Sequence, residues 1–332
     1  MRRLPIFVCV DVSESMAGGA LESVQGGLQT MLLALKKDPM VIEIGALSVI
    51  SFGSRAKVEV PLSSILDVQL PKLRLSSGTS LGAAFDLLSS EISDKVTKTT
   101  REVRGDYKPI VFVITDGQPT DDWQEAVGRY KTAHRGLALY AIGCGDDIDF
   151  SILKQIASES YALRDMSADA FAKLFKCVSA SVQSATHSIA TGTDKHEDLV
   201  EWAAGVLEKP TSEDLALRGD VRQVMLPVRC SKTGKPYLLR YRLNDSETYV
   251  CTAAHPLYEE LEGGSAKAGQ IHASRLGNPH ACPYCGNLAI VHCQCGELSC
   301  ISPLADSIKC PSCGNTGSLS YDRNFSIDRS KG

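Results

Sequence analysis

The sequence lacks any run of apolar residues long enough to cross a membrane, since no segment approaches about 18 uninterrupted apolar positions. The chain opens with two arginines and the apolar run 4–10, but Asp11 ends that run too early for an export signal. We therefore expect a cytoplasmic protein. In that compartment crowded cysteines favour metal binding over disulfides.

The sequence also lacks an excess of positive charge. Its 332 residues include 35 Lys and Arg against 39 Asp and Glu, which gives a formal net charge of −4. A broad basic surface that would hold a nucleic-acid backbone is therefore not indicated. The apolar fraction of 43% and the charged fraction of 22% are ordinary for a globular protein, and the length predicts two domains, or one large and one small.

Strands that are apolar throughout alternate with amphipathic helices in the first half of the chain. Residues 4–10, 41–53 and 109–115 have the strand pattern, whereas 18–37 and 79–96 carry apolar residues at helical spacing. This alternation predicts an α/β fold with a doubly wound, mostly parallel, Rossmann-like sheet covered by helices on both faces. In such a sheet, ligands lie beyond the carboxyl ends of the strands.

Changes in composition predict four regions along the chain. We expect the α/β domain over residues 1–188 and a linker with a small β-rich connecting region over 189–275. A small zinc-binding β module of the zinc-ribbon type should follow over 276–320. We expect a polar, disordered tail over 321–332.

Oxygen-bearing side chains gather at the predicted strand ends. Asp11, Ser13 and Ser15 lie in D-V-S-E-S after the first strand, Thr79 lies just before a helix, and Asp116 directly follows another apolar strand. Alternate side chains of an extended segment point the same way, so these oxygens can converge above the sheet. Carboxylates and hydroxyls suit Mg²⁺ or Mn²⁺, and mostly neutral ligands leave such an ion able to accept an outside carboxylate.

Helix capping is the competing interpretation of the same residues. An Asp or Ser at a strand end is commonly the N-cap of the next helix, so D-V-S-E-S alone would fit either role. We expect Ser13 or Ser15 to cap a helix as well as face the metal. Asp121 and Asp122 should form the first turn of the following helix, with the rim of the metal site as the alternative.

Three motifs together resemble the metal-ion-dependent adhesion site of von Willebrand factor A domains. They are D-V-S-E-S, the G-T of Gly78–Thr79 and the T-D-G of Thr115–Gly117, and they occur in that family's order over roughly residues 3–188. The resemblance implies that a partner protein's Asp or Glu completes the coordination of Mg²⁺, with Mn²⁺ or Ca²⁺ as alternatives. The ligands that it implies are Asp11, Ser13, Ser15, Thr79 and Asp116.

Seven of the twelve cysteines crowd into residues 282–313. C-P-Y-C-G-N at 282–287 and C-P-S-C-G-N at 310–315 are near copies, and each tight turn aims two thiolates at one ion. We therefore predict a structural Zn²⁺ site with four thiolate ligands, which are Cys282, Cys285, Cys310 and Cys313.

The remaining cysteines leave several alternatives open. Cys293, Cys295 and Cys300, with His280 and His292 nearby, form a second metal site or pack in a hairpin, and the zinc pairing could be interleaved. Earlier in the chain, other cysteines stand in apolar surroundings or far from the cluster. For these we expect unligated packing, and they are Cys9, Cys144, Cys177, Cys230 and Cys251.

The adhesion-type domain followed by this cysteine module resembles the TerY-type proteins of bacterial tellurite-resistance and stress systems. The resemblance implies a metal-dependent protein-interaction scaffold and not an enzyme. It also implies regulation by phosphorylation through an associated Ser/Thr protein kinase and a PP2C-type phosphatase. No membrane partner is implied.

Two other functions remain as alternatives. A metal-dependent phosphatase or hydrolase would use Asp11 as a nucleophile, but Ser13 stands where a second acid is needed and only His134 lies near the strand-end loops. Nucleic-acid binding through the zinc module is disfavoured because Lys and Arg are sparse between residues 276 and 307.

Overall fold

The computed structural model divides the chain into two compact units, of which the first comprises residues 1–12, 19–74 and 79–218 and the second residues 13–18, 75–78 and 219–332. The residues that the structure describes are 2–115, 119–145, 148–157, 159–191, 207–209, 223–257, 270–319 and 323–328. Within those ranges, no helix has the length and apolar character needed to span a membrane.

The first unit is built on one six-stranded sheet. Its strands are β1 (Leu4–Asp11), β2 (Gly45–Phe52), β3 (Ala56–Ser64), β4 (Ile110–Thr115), β5 (Ala138–Cys144) and β6 (Glu159–Leu163). They lie in the order β3-β2-β1-β4-β5-β6, and every neighbouring pair is parallel except β2 with β3. Because β1, β2 and β4 are buried along their whole length, they have the apolar sequences of a sheet covered on both faces. The predicted fold class is confirmed.

Among the residues described, six helices accompany this sheet. They are α1 (Ala20–Leu35), α2 (Pro39–Ile44), α3 (Leu81–Lys95), α4 (Trp123–Ala133), α5 (Phe150–Ile156) and α6 (Ala168–Thr191). Helix α1 approaches α6 closely at Gly27, where an added Cβ would clash with the ring of Phe175. Cys9, Cys144 and Cys177 are buried, as expected for residues that pack in the core. Burial raises the pKa of the Cys9 thiol to about 12.

Two sequence predictions fail within this unit. Residues 41–44 form the end of α2 and not the start of a strand, because the Asp38 carboxylate accepts hydrogen bonds from the backbone N–H groups of Met40 and Val41. This N-cap, followed by Pro39 at the first helical position, outweighs the strand propensity of the Val and Ile residues. Helix α6 also continues to Thr191, past the predicted domain end at residue 188.

In the described part of the second unit, the strands form three sheets. The strands are β7 (Gln223–Arg229), β8 (Pro236–Leu243), β9 (Tyr249–Pro256), β10 (Gln270–His272), β11 (Ala289–His292), β12 (Leu298–Ile301), β13 (Ser307–Lys309), β14 (Thr316–Ser318) and β15 (Ser326–Asp328). The largest sheet has the order β11-β12-β7-β8-β9, while β10 pairs with β15 and β13 with β14.

Two predicted boundaries do not match this arrangement. The boundary at 275/276 runs through one sheet, since β12 of the predicted zinc module pairs in parallel with β7 of the predicted connecting region. The predicted disordered tail contains β15, which pairs with β10 and buries Ile327. Pairing between short strands far apart in sequence leaves no periodic pattern, which explains both errors.

Candidate metal centres

The first candidate ligand, Asp11, lies buried at the carboxyl end of β1. Strand β4 runs parallel beside β1, and the Thr115 hydroxyl donates a hydrogen bond of 2.6 Å to Asp11 Oδ2. This bond holds one carboxylate oxygen and brings the end of β4 beside Asp11. Asp116 follows Thr115 in the sequence but lies outside the described residues.

Thr79 is held in place through its backbone. Its N–H donates to the Thr120 hydroxyl at 3.2 Å, and its carbonyl accepts from the Thr120 N–H at 2.9 Å. The side chain is fully buried, yet within the described part of the chain Thr79 Oγ1 has no hydrogen-bond partner. Leaving a buried hydroxyl without a partner costs about 1–3 kcal/mol, so a ligand for this oxygen is expected.

Asp121 has a different role from the predicted one. Its carboxylate accepts hydrogen bonds of 3.0 Å from the N–H groups of both Gly82 and Ala83, so it caps helix α3 and not the following helix α4. Asp122 occupies the N-cap position of α4 without a side-chain capping bond. The segment 120–121 therefore fixes Thr79 and the first turn of α3 together. Sequence order concealed this because the cap comes from a loop about forty residues later.

Ser13 and Ser15 lie in a 3-10 turn that belongs to the second unit. Their hydroxyl oxygens are 2.8 Å apart, and both side chains are buried. Neither residue takes the predicted capping role, because Ser13 makes no side-chain capping bond and Gly19 is the N-cap of α1. Gly18 and Gly19 both have positive φ angles, and together they make a sharp turn just before α1.

Glu14 is a buried carboxylate that the sequence analysis did not consider. Its Oε2 accepts a 2.7 Å hydrogen bond from the backbone N–H of Gly78, and the residue has no exposed surface. The bond ties the turn that carries Ser13 and Ser15 to the segment that ends just before Thr79. The sequence offered one indication of this separate role. Glu14 lies between two candidate ligands, and neighbouring side chains of an extended segment point to opposite sides.

Residues 13–18 also contact strands of their own unit. The Arg240 guanidinium donates hydrogen bonds of 3.2 Å to the carbonyls of Ser15 and Ala17. Ala17 packs in a buried apolar cluster with Met225, Leu238 and Leu257. These contacts fix the backbone on both sides of the two serines.

The cysteines form two groups of four, and within each group the ligand atoms lie within 4.8 Å of one another. We call the first the inner group, which consists of Cys230, Cys282, Cys285 and Cys300. We call the second the outer group, which consists of Cys293, Cys295, Cys310 and Cys313. All twelve cysteines lie among the described residues, and none forms a disulfide.

This grouping corrects the predicted ligand set. The two C-P-x-C turns do not share one ion position, because Cys282 and Cys285 belong to the inner group and Cys310 and Cys313 to the outer. The predicted second set is also divided, with Cys300 inner and Cys293 and Cys295 outer. Parallel pairing of β12 with β7, which places Ser299 opposite Arg229, brings Cys300 beside Cys230.

Cys230 was predicted to pack without a ligand role, but it belongs to the inner group. The turn that it begins resembles those of the C-P-x-C-G segments. In C-S-K-T-G the Gly234 N–H donates to the Cys230 carbonyl at 2.8 Å, and Gly234 has a φ of 70°. The C-P-x-C-G segments have the same bond, from Gly286 to Cys282 and from Gly314 to Cys310. A cysteine followed by glycine four residues later thus begins three equivalent turns.

Cys251 keeps its predicted role as a packing residue. It is buried in the apolar cluster of the second unit but belongs to neither cysteine group. Its Sγ accepts a hydrogen bond from the backbone N–H of His280 at 3.3 Å, and burial raises the pKa of the thiol.

The chain belongs to the von Willebrand factor type A domain family, since the model of that family matches residues 6–176. The class fits the sheet order and the oxygen-bearing residues at its strand ends. Residues 220–332 match the TerY-C metal binding domain, which confirms the predicted resemblance to TerY-type von Willebrand factor A proteins. The C-terminal part of the chain is therefore a metal-binding domain.

Curated relatives match about half of the chain. Mouse (Mus musculus) matrilin-1 is 31% identical over 161 residues, covering 46% of this chain and 30% of its own length. Chicken (Gallus gallus) matrilin-3 is 28% identical over 164 residues, covering 48% and 35%. The chain thus spans about a third of the length of these relatives.

A solved von Willebrand factor type A structure from Catenulispora acidiphila is also similar to this chain. The two are 15% identical with a TM-score of 0.43, and the match covers 55% of this chain and 43% of that one.

Proposed function

We propose that the chain is a metal-dependent protein-interaction scaffold whose adhesion-type site holds a hard divalent cation. Asp11, Ser13, Ser15, Thr79 and Asp116 would be the ligands, and Mg²⁺ is the ion that we favour over Mn²⁺ and Ca²⁺. The two carboxylates balance the charge of the ion, and the three neutral hydroxyls leave it more electrophilic than additional carboxylates would. When bound, the ion supplies an electrophilic position that an Asp or Glu of a partner protein can occupy.

The buried Thr79 hydroxyl is the observation on which this proposal chiefly rests. Thr120 fixes the Thr79 backbone from both sides, so the side chain has little freedom to find another partner. A folded protein rarely tolerates a buried polar atom without a partner unless an ion, a water or a reacting group completes it. A cation at this position would satisfy Thr79 Oγ1.

The other residues support binding and not catalysis. Thr115 holds Asp11 by a 2.6 Å hydrogen bond, which orients the carboxylate but also limits its freedom as a nucleophile. Ser13 stands where a phosphatase of this type would place its second acid. Glu14, the nearby carboxylate, accepts a hydrogen bond from the backbone of Gly78.

A pair of substitutions at Thr79 tests this site. Thr79→Val removes the hydroxyl at nearly constant volume, whereas Thr79→Ser keeps it. We expect Thr79→Val to weaken Mn²⁺ binding by about tenfold or more, with Thr79→Ser close to wild type, as measured by calorimetric titration of the full chain. Equal Mn²⁺ affinity in the wild type and Thr79→Val would contradict the proposal.

The same pair should behave oppositely without a hard cation. Because a methyl group removes the cost of the unpartnered hydroxyl, metal-free Thr79→Val should be as stable as wild type or up to about 1–3 kcal/mol more stable. Added Mn²⁺ should stabilise the wild type more than the variant. Thermal unfolding with and without Mn²⁺ measures both effects.

We also propose that each cysteine group holds one Zn²⁺ ion. Sulfur atoms about 2.3 Å from a tetrahedral zinc lie about 3.8 Å from one another. The Sγ–Sγ distances are 3.5 Å for Cys285 and Cys300, 3.7 Å for Cys293 and Cys313, and 3.8 Å for Cys295 and Cys310. Four thiolates fill all positions of the ion, so these would be structural sites without an open position.

The cellular partners that we propose rest on the resemblance to TerY-type proteins alone. They are a Ser/Thr kinase and a PP2C-type phosphatase in a tellurite-resistance or stress system, and the cytoplasm is the predicted location. Co-expression of the chain with such a kinase and phosphatase, followed by purification in Mg²⁺, tests this. We expect Asp11→Ala to abolish co-purification while the zinc content stays the same.

A further inference from the structure

The two cysteine groups differ in their exposure to solvent. In the inner group, Cys230, Cys282 and Cys300 are buried, with exposures of 0%, 2% and 0%. In the outer group, Cys295 and Cys313 are exposed, and of the other two only Cys310 is buried. Both groups therefore offer thiolates, but a molecule in solution can reach those of the outer group more easily than those of the inner group.

The inner group is part of the main apolar core of the second unit. Three of its cysteines belong to the cluster that contains Val224, Leu239 and Tyr241, and the fourth packs against it. The sulfur of Cys300 also accepts hydrogen bonds from the Ser231 N–H at 3.3 Å and from the Asn287 amide at 3.8 Å. Such outer partners hold ligands in place, and an apolar shell restricts access to the ion.

The outer group is held in part by elements with little core of their own. Cys310 and Cys313 lie between β13 and β14, which have three residues each and pair only with one another in the described chain. Cys293 and Cys295 lie in the turn between β11 and β12 of the five-stranded sheet. All three residues of β14 are exposed, as are the two ends of β13. A segment with so few buried contacts opens locally at low cost, whereas the five-stranded sheet does not.

We propose that the outer group is an exchangeable site for a soft divalent cation, while the inner group retains its ion as part of the fold. This inference rests on the proposed function in one respect, the assignment of zinc to both groups. Thiolates bind soft ions strongly, so Cd²⁺ is a suitable competitor. In the exchange, Cd²⁺ takes over the four thiolates and one Zn²⁺ leaves, with no change in charge or oxidation state.

Zinc release from the full chain tests the proposal directly. Purified protein is mixed with a chromogenic zinc chelator in excess, and release is followed by absorbance against the total zinc found after denaturation. We expect two zinc ions per chain, of which one leaves at least about tenfold faster than the other. Native mass spectrometry after brief exposure to Cd²⁺ should show one Zn²⁺ replaced and one retained.

Two variants assign the fast phase to a group. Cys313→Ser removes an outer ligand, so we expect it to lose the fast phase and keep one slowly released zinc. Cys251→Ser is the matched control, because this buried thiol belongs to neither group and both phases should persist. The Cd²⁺ experiment uses only the wild-type protein, so it does not depend on whether a variant folds.

The possible failures are distinguishable. Two zinc ions that leave at the same rate, or a fast phase that survives in Cys313→Ser, would overturn the exchange and leave the zinc assignment standing. Fewer than two zinc ions per wild-type chain would instead contradict the assignment of zinc to both groups, and with it the contrast between them.

Discussion

The first unit and the C-terminal region of the second are stabilised by different means. In the first, one six-stranded sheet with three fully buried strands and flanking helices supplies a large apolar core. In the second, β10 to β15 have only three or four residues each, and three cysteines of the inner group are core members. The proposed hard cation would therefore bind beside a core that is complete without it, whereas the proposed zinc ions would form part of the core of the C-terminal region.

Removing an inner cysteine should cause the largest loss of stability. The loss should be confined to the C-terminal region of the second unit. Structural zinc in small peptides contributes about 10–16 kcal/mol of apparent binding free energy, which exceeds the stability of most domains. We therefore expect Cys300→Ala to lose the inner zinc and to make residues 223–319 sensitive to protease. Limited proteolysis with mass spectrometry should show the first unit intact.

Cys251→Ser serves as the control for that experiment, since Cys251 is equally a buried cysteine but lies outside both groups. Its zinc content should remain at two per chain. If residues 223–319 of Cys300→Ala resist protease, the small sheets remain folded without the inner zinc. That result would contradict the claim that metal stabilises this region.

Substitutions at Gly18 and Gly19 test the segment that directly follows the proposed ligands Ser13 and Ser15. An added Cβ at Gly18 would lie 2.5 Å from the His255 ring, whereas none of the described atoms lies within 4 Å of one at Gly19. Both residues have positive φ angles, so both alanines suffer backbone strain of about 1–2 kcal/mol. Overpacking adds about 1–3 kcal/mol at Gly18 alone.

We therefore expect Gly18→Ala to be less stable than Gly19→Ala, as measured by chemical denaturation of the full chain. Equal losses in the two variants would show that the contact between Gly18 and His255 contributes nothing to the position of this segment.

Substitution of Asp121 should give a smaller effect that is confined to the first unit. Asp121 caps α3 through two backbone N–H groups, and loss of an N-cap costs about 1 kcal/mol. Asp121→Ala should lower the stability of the first unit by that amount and leave zinc release unchanged. Asp122→Ala, at a position without a side-chain capping bond, should cost less. A larger loss of stability in Asp122→Ala than in Asp121→Ala would instead support the first prediction, in which these acids stabilise the start of α4.

Asp106 predicts a pH dependence that is confined to the first unit. Burial alone would raise its pKa, but hydrogen bonds from the Arg3 side chain and from the Thr97 and Arg3 backbone outweigh burial, so the pKa lies below its usual value. Because the folded pKa is lowered, the contribution to stability is present above the unfolded pKa of about 3.9 and is lost as pH falls through the folded pKa.

Asp106→Asn should therefore lower the free energy of unfolding by about 1–3 kcal/mol near pH 7, with a difference from wild type that shrinks below about pH 4. Urea denaturation of both proteins between pH 3 and 7 measures this. A difference that stays constant over the whole range would exclude the ionised carboxylate as its source.

Sequence reasoning succeeded where the physical pattern was local. The buried strands β1 and β4 appear as unbroken apolar runs, and the candidate ligand Asp11 directly follows such a run. It failed where a partner came from far along the chain, as when Asp121 caps α3 or when Cys300 joins Cys230 across a parallel strand pair. Those contacts depend on the tertiary arrangement of distant segments, which a single sequence does not encode in any periodicity.

The most direct test of the account is a Mn²⁺ titration of the full chain followed by electron paramagnetic resonance, with wild type and Asp11→Ala compared at equal zinc content. We predict one bound Mn²⁺ in the wild type, none in the variant, and two zinc ions per chain in both. Equal Mn²⁺ binding by the two proteins would contradict a hard-cation site at the end of β1, and with it the division between oxygen-bound and thiolate-bound metals.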